Sequence, residues 1–206
     1  HMISSLKLYS FARTLNLFSD HIITESFCER NRLISNGVNI KKVTVISNSV
    51  DMDKFSLNNT KPALRSEFNI PESSFCYGII ARLSKEKRHS DFIDAAKEVH
   101  KEVPDTRFFI VGDGPEREKV MKGISGCEDY IIMTGSRKDI PDILRSLDCF
   151  VLSSEVESLP LSIREAMSMS LPVIATDVGG IREAVLHGIT GTVVPPGNTA
   201  LLAQAM

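Results

Sequence analysis

Short apolar runs alternate with helix-like apolar spacing through most of the chain. The runs hold four to six residues, which is too short for a helix and typical of buried strands. Between the runs, apolar residues recur every three or four positions, as on the buried face of a helix. The predicted strands cover residues 75–80, 107–111, 130–133, 149–152, 172–175 and 190–194. The predicted helices cover residues 91–103, 116–124, 140–146, 159–170 and 179–186.

Six or so strands that alternate with helices predict an α/β fold, namely a doubly wound parallel sheet with helices on both faces. In such a sheet the carboxyl ends of all strands lie at one edge, and ligands bind at that edge. Residues that directly follow the strands are therefore the first candidates for binding or catalysis.

The beginning of the chain has a smaller version of the same pattern. Helical spacing over residues 6–18 is followed by a strand at 21–24, a helix capped by Thr24 or Ser26, and a strand at 43–46. One strand-helix-strand unit cannot cover both faces of its own sheet. We therefore interpret this partial module as the end of a domain whose beginning is absent.

These patterns divide the chain into three segments. Residues 1–52 are predicted to be a remnant of the first domain, residues 53–74 a linker with a lead-in helix, and residues 75–206 a ligand-binding domain. The opening His1-Met2 is typical of a cloning site. A helix has barely begun when the sequence stops at Met206, so we expect a fragment whose last domain is truncated.

Composition and charge narrow the class of protein. Apolar residues make up 42% and charged residues 24%, as in an ordinary globular chain. The formal net charge of −2 argues against nucleic-acid binding driven by overall charge. The four cysteines form no C-x-x-C pair, so reduced thiols and a cytoplasmic location are expected. No apolar run approaches the ~18 residues of a membrane span, and peripheral contact with the inner face of a membrane stays open.

Two charged loops follow predicted strands. Arg82 and Lys87, with four residues between them, follow the first strand of the sheet domain. Glu157 and Glu165, with seven residues between them, flank a helix start after the fourth strand. Each loop also has a plainer interpretation. A basic cluster is often a solvated turn, and Ser162 with Glu165 fits an S-x-x-E capping box, in which the glutamate only satisfies a backbone amide.

The segment from Glu157 to Glu165 resembles the E-x7-E element of retaining glycosyltransferases of family 4, which have the two-domain GT-B fold. Asn48-Ser-Val-Asp51 and Gly179-Gly180 resemble further stretches of the same family. The resemblance covers nearly all of the chain. It implies that residues 75–206 form the nucleotide-sugar donor-binding domain, with a Rossmann-like fold.

The resemblance also implies roles for the charged residues. Arg82 and Lys87 would contact the donor diphosphate and stabilise the charge that it gains on departure, without a metal. Glu157 would face the transferred sugar, and Glu165 would bind the ribose hydroxyls. Arg82, Lys87 and Glu157 are thus the predicted catalytic residues. The family's glycine after the lysine is Arg88 in this chain.

Substrate contacts are predicted at three further places. Backbone amides at the helix start would bind a phosphate or sugar oxygen, although Pro160 has no amide hydrogen. Gly112 and Gly114 would form a tight turn beside the ligand, and Ser136 with Arg137 would line the nucleobase. The predicted substrate-binding residues are Glu165, Ser158, Leu159, Pro160, Leu161, Ser136, Arg137, Gly112 and Gly114.

The sequence is compatible with one main function and two alternatives. The resemblance implies hexosyl transfer from a nucleoside diphosphate sugar to an acceptor hydroxyl with retention, in polysaccharide or glycoconjugate biosynthesis, with no cofactor and no metal. The alternative is a GT-B-like binding or regulatory module without catalysis, against which the intact charged set argues. A Rossmann-type oxidoreductase is opposed by Arg117, which stands where G-x-G-x-x-G requires glycine.

The implied partners are the nucleotide-sugar donor and a glycan or lipid-linked acceptor, which the missing first domain would bind. No nucleic acid and no transmembrane segment are expected. A chain without the acceptor side is expected to bind the donor but to transfer sugar poorly or not at all.

Overall fold

The computed structural model describes residues 11–206, with Ala63 described by its backbone alone. The chain divides into two compact units, and the boundary between them lies between Ser49 and Val50. Each unit contains its own parallel sheet.

The first unit contains the predicted strand-helix-strand module. Ser26 caps its second helix, accepting a hydrogen bond from the backbone amide of Glu29 at 3.1 Å, so this predicted cap is confirmed. The two short strands pair in parallel. The part of the first predicted helix that precedes residue 11 lies outside the described residues. The elements are α1 (residues 11–18), β1 (Ile22–Thr24), α2 (Phe27–Ser35) and β2 (Val43–Val45).

The second unit contains all six strands predicted for the sheet domain, each within two residues of its predicted bounds. The strands are β3 (Phe75–Ile80), β4 (Thr106–Val111), β5 (Ile131–Gly135), β6 (Cys149–Leu152), β7 (Val173–Thr176) and β8 (Gly191–Val194). The helices are α3 (Ala63–Glu67), α4 (His89–Glu102), α5 (Arg117–Ile124), α6 (Ile140–Arg145), α7 (Leu161–Ser168), α8 (Ile181–Ala184) and α9 (Thr199–Ala205).

The sheet is doubly wound, as predicted. Its strand order is β5-β4-β3-β6-β7-β8, and every neighbouring pair is parallel. The chain runs outward from β3 through β4 to β5, then crosses to β6 on the other side of β3. Because crossovers between parallel strands are right-handed, this reversal places helices on both faces of the sheet. The strand order therefore reverses between β3 and β6.

The strands were predictable because the sheet is buried on both faces. All four residues of β6 and all four of β7 are buried, and β4 is buried except for Arg107. Parallel strands of this kind have continuous apolar runs rather than alternation. The largest fully buried side chains of this core include Phe92, Phe108, Phe109, Phe150, Ile79 and Leu144.

Residues 50–74 belong to the second unit and pack on it. Phe55 and Leu64 are buried in the same core as the strands. The backbone amide of Leu64 donates to the Ser146 hydroxyl at 3.0 Å. The segment predicted as a linker is thus an ordered part of the sheet domain, while the assignment of residues 1–52 to a first domain stays a prediction.

One predicted helix is much shorter than expected. The sequence predicted a helix over residues 179–186, but α8 ends at Ala184 because Val185 adopts an extended conformation. His187 follows shortly after, and its Nδ1 accepts a hydrogen bond from the backbone amide of Val193 at 3.0 Å. Its ring therefore supports the edge strand β8.

Candidate functional site

The loops after β3 and β6 meet at the point where the strand order reverses. The β3 loop runs from Ala81 to Arg88, and the β6 loop runs from Ser153 to Pro160. Open α/β sheets bind ligands at such a switch point, outside the carboxyl ends of the strands. The predicted catalytic residues all lie on these two loops.

Hydrogen bonds hold the two loops together. The Ser153 hydroxyl donates to the carbonyl oxygens of Lys87 and Arg88, both at 3.0 Å. The backbone amide of Glu155 donates to the carbonyl oxygen of Glu86 at 2.7 Å. The loops therefore form one structure at the sheet edge, although they are about 70 residues apart in sequence.

A largely buried ion pair joins the loops. Lys87 Nζ lies 2.7 Å from Glu157 Oε1, and the two side chains are 21% and 7% exposed. The Ser154 hydroxyl donates to the same carboxylate oxygen at 2.6 Å. Within residues 11–206, no group donates to Oε2 of Glu157. The carboxylate is thus fixed through one oxygen, and its second oxygen is available to a ligand.

Arg82 is an exposed cation on the same edge. Its guanidinium makes no hydrogen bond or ion pair with any residue of the described chain. The loop that carries it is nevertheless well fixed, since Leu83 is fully buried and its backbone amide donates to the carbonyl oxygen of Asp113 at 3.0 Å. A fixed loop with a free guanidinium at its surface is suited to binding an anion.

Arg88 adopts a left-handed conformation, with φ of 51°. This backbone region favours glycine, which is the residue that the family pattern places here. The Arg88 side chain pairs with Asp91 of α4 at 3.0 Å, so its charge is compensated by a neighbouring carboxylate. Arg88 thus replaces the family's glycine but keeps the left-handed backbone conformation that favours glycine.

Two glycines let the β4 loop approach the Arg82 loop. A Cβ atom on Gly112 would lie 2.0 Å from the carbonyl oxygen of Ala81, and one on Gly114 would lie 2.4 Å from that of Leu83. Neither contact is compatible with a side chain. The structure thus gives Gly112 and Gly114 a supporting role, in agreement with the predicted turn, and their contact with substrate stays a prediction.

Gly179 has the same relation to the Glu157 loop. Its φ is +56°, and an added Cβ atom would lie 1.8 Å from the carbonyl oxygen of Glu157. The backbone amide of the next residue, Gly180, donates to the carbonyl oxygen of Ser158 at 2.7 Å. The loop after β7 therefore fixes the position of the Glu157 backbone.

Glu165 lies in α7 and is half-buried. Burial raises the pKa of this carboxyl group, while the nearby charge of Lys54 opposes the rise. The capping-box alternative for Glu165 is wrong. Helix α7 begins at Leu161 with Pro160 at the N-cap and no side-chain cap, so Ser162 is already inside the helix.

The start of α7 is better suited to an anion than the sequence suggested. Pro160 precedes the helix, where its missing N–H removes no donor of the first turn. The amides of Leu161 and Ser162 belong to that turn and have no intrahelical acceptor. Leu159 is buried beneath the loop, whereas Ser158 is partly exposed. Of the four predicted positions, Leu161 offers the most direct backbone donor.

The structure places Ser136 and Arg137 at the carboxyl end of β5, two strands from β3. Ser136 is exposed. Arg137 forms paired hydrogen bonds with Glu67 and with Asp139 at 2.8–2.9 Å, and these carboxylates raise the pKa of the guanidinium. Arg137 therefore ties α3 to the β5 loop, and its contact with a nucleobase stays a prediction.

Sequence reasoning missed the serines that organise the site. Ser153 and Ser154 are fully buried, and the Thr176 hydroxyl donates to the carbonyl oxygen of Ser154. The signal in the sequence is a pair of hydroxyl residues directly after an apolar strand, a pattern that by itself indicates only where the strand ends. Buried hydroxyls need partners, and these find theirs in the neighbouring loops.

No three His, Cys, Asp or Glu side chains converge on a metal-binding geometry within residues 11–206. In the same part of the chain, no helix is both long and apolar enough to cross a membrane. The described cysteines are all free thiols.

Comparison with known proteins identifies the family. The family described as glycosyl transferases group 1 matches residues 75–206, more than half of the chain. The chain belongs to the group 1 glycosyl transferases. The sheet domain is thus a Rossmann-like domain of the GT-B type. Its strand order and its similarity to solved structures both support this assignment.

The chain spans less than half the length of three curated relatives that it matches. N-acetyl-alpha-D-glucosaminyl L-malate synthase of Bacillus anthracis is 32% identical over 166 residues, which are 80% of this chain and 43% of that protein. The Escherichia coli UDP-Gal:alpha-D-GlcNAc-diphosphoundecaprenol alpha-1,3-galactosyltransferase is 34% identical over 68% of this chain and 38% of its own. A GDP-mannose-dependent alpha-mannosyltransferase of Mycobacterium tuberculosis is 29% identical over 92% and 48%.

A solved structure extends the comparison to three dimensions. Anabaena HepE, crystallised with UDP, superposes with a TM-score of 0.86 at 27% identity, over 98% of this chain and 57% of that one. A second structure of HepE contains UDP-glucose and gives the same TM-score. The group 1 glycosyl transferase described here spans only part of each of these relatives.

Proposed function

We propose that this chain supplies the donor-binding half of an enzyme that transfers a hexosyl group from a nucleoside diphosphate sugar to an acceptor hydroxyl, with retention at the anomeric carbon. The observation that carries the proposal is the fixed Lys87–Glu157 pair beside the free guanidinium of Arg82, at the switch point of a group 1 glycosyl transferase. Cations for a diphosphate and a carboxylate for a sugar are adjacent there.

The diphosphate is assigned to the edge between β3 and β6. Arg82 offers a planar set of donors, and Lys87 has three N–H donors, only one of which is needed by Glu157. As the bond between the anomeric carbon and the diphosphate oxygen breaks, negative charge develops on the departing group. These cations and the first amides of α7 stabilise that charge, so this chemistry needs no metal.

The nucleoside is assigned to the ends of β4 and β5. Neighbouring strands are about 4.8 Å apart, so the carboxyl end of β5 lies roughly 10 Å from that of β3. This is the distance that a nucleoside must span from a diphosphate held at Arg82. The backbone around Ser136 then lines the base, and Glu165 on α7 binds ribose hydroxyls. HepE structures with UDP and UDP-glucose support a nucleotide-sugar ligand.

The sugar is assigned to Glu157. Its Oε1 is held by Lys87 and by the Ser154 hydroxyl, which leaves Oε2 to accept a hydrogen bond from a sugar hydroxyl. A carboxylate that is already oriented contributes more to binding than one that must be ordered by the ligand. This position for Glu157 also places the transferred sugar next to the diphosphate.

The acceptor is assigned to the part of the relatives that this chain does not match. A glycan or lipid-linked acceptor agrees with the E. coli relative, whose name gives a diphosphoundecaprenol-linked substrate. Cytoplasmic location, with contact at the inner face of a membrane, belongs to the same proposal. One relative is named for UDP-Gal and another for GDP-mannose, so titration with both kinds of nucleotide sugar identifies the base.

Isothermal titration of the chain with UDP-, GDP- and ADP-sugars and with NAD tests the proposal. We expect one nucleotide sugar to saturate and NAD not to. Arg82→Ala should weaken that binding roughly 10- to 100-fold, the value of a lost hydrogen bond to a charged group. The fold should not change, because Arg82 contacts none of the described residues through hydrogen bonds or ion pairs.

Arg145→Ala is the matched control. Arg145 is also exposed. It ends α6, which leads into the amino end of β6, opposite to the carboxyl ends where the candidate site lies. Its removal should leave donor affinity unchanged. Saturation by NAD, or equal losses in the two arginine variants, would contradict the assignment of the diphosphate.

A further inference from the structure

A separate cavity lies in the groove between α4 and α5. It has a volume of about 290 Å³, and its walls come from α4, α5 and the turn that ends the β3 loop. Arg82, Glu157 and Glu165 do not line it. Pockets for drug-sized ligands usually measure ~300–1,000 Å³, so this one suits a smaller molecule.

A buried histidine without partners stands in the wall of this cavity. His89, the first residue of α4, is 3% exposed, and neither ring nitrogen has a hydrogen-bond partner within the described residues. Buried polar groups are nearly always hydrogen-bonded. Burial and the charge of Lys87 lower the pKa of His89 to about 4, so the ring is neutral at pH 7. It then offers one N–H donor and one acceptor nitrogen.

The walls of the cavity also carry more cations than carboxylates. Its walls carry five lysine and arginine side chains against two carboxylates, Asp94 and Glu116. Three of the cations are used within the protein, in contacts with Asp91, Glu116 and the Gly123 carbonyl. Lys85 and Lys122 make no hydrogen bond or ion pair with any residue from 11 to 206. The excess positive charge is suited to an anionic occupant.

We infer that this cavity is a second binding site, which takes a small phosphate-bearing ligand with a neighbouring hydroxyl group. His89 donates its N–H to a phosphate oxygen and accepts from the hydroxyl at its other nitrogen, while Lys85 and Lys122 neutralise the phosphate charge. A free polyol phosphate and the headgroup of an anionic phospholipid share this chemistry. The site goes beyond the donor function, because it uses none of the residues assigned to the nucleotide sugar.

Nuclear magnetic resonance of the chain labelled in its histidine rings tests the site. Glycerol 3-phosphate, inorganic phosphate, and vesicles of phosphatidylcholine with or without phosphatidylglycerol are the three probes. Glycerol 3-phosphate should shift the His89 ring signals saturably, leave those of His100 and His187 in place, and raise the thermal midpoint. A saturable shift with inorganic phosphate alone supports the phosphate contact at lower affinity.

Two variants test the named contacts by calorimetry. His89→Leu has a similar volume without polar atoms, so the unliganded protein should be at least as stable as wild type. Its affinity for glycerol 3-phosphate should nevertheless fall about tenfold or more. Lys122→Gln, a surface change in α5, should weaken binding in the same direction. Lys101→Gln is the control, because Lys101 also belongs to α4 but does not line the cavity.

The vesicle experiments distinguish a phospholipid headgroup from a free polyol phosphate as the ligand. Vesicle binding that requires phosphatidylglycerol and falls in His89→Leu identifies the headgroup as the ligand and supports the site. Arg82→Ala should leave every response intact, since loss of binding in that variant would place the phosphate in the donor site and overturn the inference. It is also overturned if no probe gives a saturable response, or if binding survives both His89→Leu and Lys122→Gln.

Discussion

Gly179→Ala should damage both stability and donor binding, because Gly179 supports the backbone of Glu157. An alanine Cβ atom at this position would lie 1.8 Å from the Glu157 carbonyl oxygen and 2.7 Å from its carbonyl carbon. Ordinary van der Waals contact begins at 3.4 Å, so the two loops must separate by more than an ångström. The close approach leaves no room for a smaller adjustment, since both sides are backbone.

The size of the effect follows from three contributions. The left-handed conformation of Gly179, with φ of +56°, costs an alanine about 1–2 kcal/mol. Separation of the loops weakens the hydrogen bond from Gly180 to Ser158, which is worth roughly 0.5–1.5 kcal/mol. Packing lost around the displaced loop adds a similar amount. We expect the free energy of unfolding to fall by about 3 kcal/mol.

Gly188→Ala provides the matched control. Gly188 has a φ of +77°, but an added Cβ atom there would have no neighbour within 4 Å. Its substitution therefore measures backbone strain alone and should cost only about 1–2 kcal/mol. Urea unfolding of both variants gives the difference, which isolates the clash.

Calorimetric titration with the nucleotide sugar completes the test. Displacement of the Glu157 backbone should weaken donor binding in Gly179→Ala, while Gly188→Ala should bind as wild type does. Equal unfolding free energies for the two variants would refute the close approach of the loops. Full donor affinity in a folded Gly179→Ala variant would refute the role of this loop in the site.

Three further predictions test other parts of the account. Glu157→Gln should keep the affinity for the nucleoside diphosphate, because it removes a negative charge next to Lys87 and so does not weaken the attraction of that lysine for the diphosphate. By calorimetry, the same change should lower the affinity for the nucleotide sugar about tenfold. Equal changes for both ligands would exclude a sugar contact. Glu165→Gln should stay folded and bind donor more weakly, and unchanged affinity would mean that Glu165 does not touch the ribose. Burial lowers the pKa of His89 to about 4, so below pH 6.5 this histidine is protonated in the unfolded chain but stays neutral in the folded chain. The free energy of unfolding should therefore fall by roughly 3 kcal/mol as the pH decreases from 6.5 to 4. His89→Leu should lack this component in urea titrations, and identical pH profiles would show that the ring is not desolvated.

The strands of the sheet domain were predictable because a single physical cause, burial on both faces, determines their composition. The doubly wound order followed from their alternation with helices. The ends of short helices were less predictable. Helix α8 stops at Ala184 because the following residues turn to support β8, where His187 accepts a hydrogen bond from Val193. The sequence around α8 alone does not predict this contact.

The positions of the candidate residues could be read from the sequence, whereas their contacts could not. The spacing of Glu157 and Glu165 and the positions of Arg82 and Lys87 were visible in the sequence. The direct pair between Lys87 and Glu157 was not, because the two residues are 70 positions apart and meet only when β3 and β6 become neighbours. Tertiary contacts likewise decide that Arg137 is held by two carboxylates.

Glycines illustrate the same limit. The sequence predicts a tight turn at Gly112 and a helix start at Gly179. The main constraint on both glycines is the backbone of another loop, which passes within 2.0 Å of where a Cβ atom would lie. The sequence pattern of one loop does not show which backbone atoms of a distant loop will pack against it. The glycines and buried serines together explain why the charged loops are held in place.

A crystal structure of the chain with UDP would test the central claim most directly. We expect a diphosphate at the carboxyl ends of β3 and β6, within hydrogen-bond distance of the Arg82 guanidinium and Lys87 Nζ, with Glu157 still held by Lys87. A diphosphate bound instead against Gly112 and Gly114, at the start of α5 and away from both cations, would contradict it.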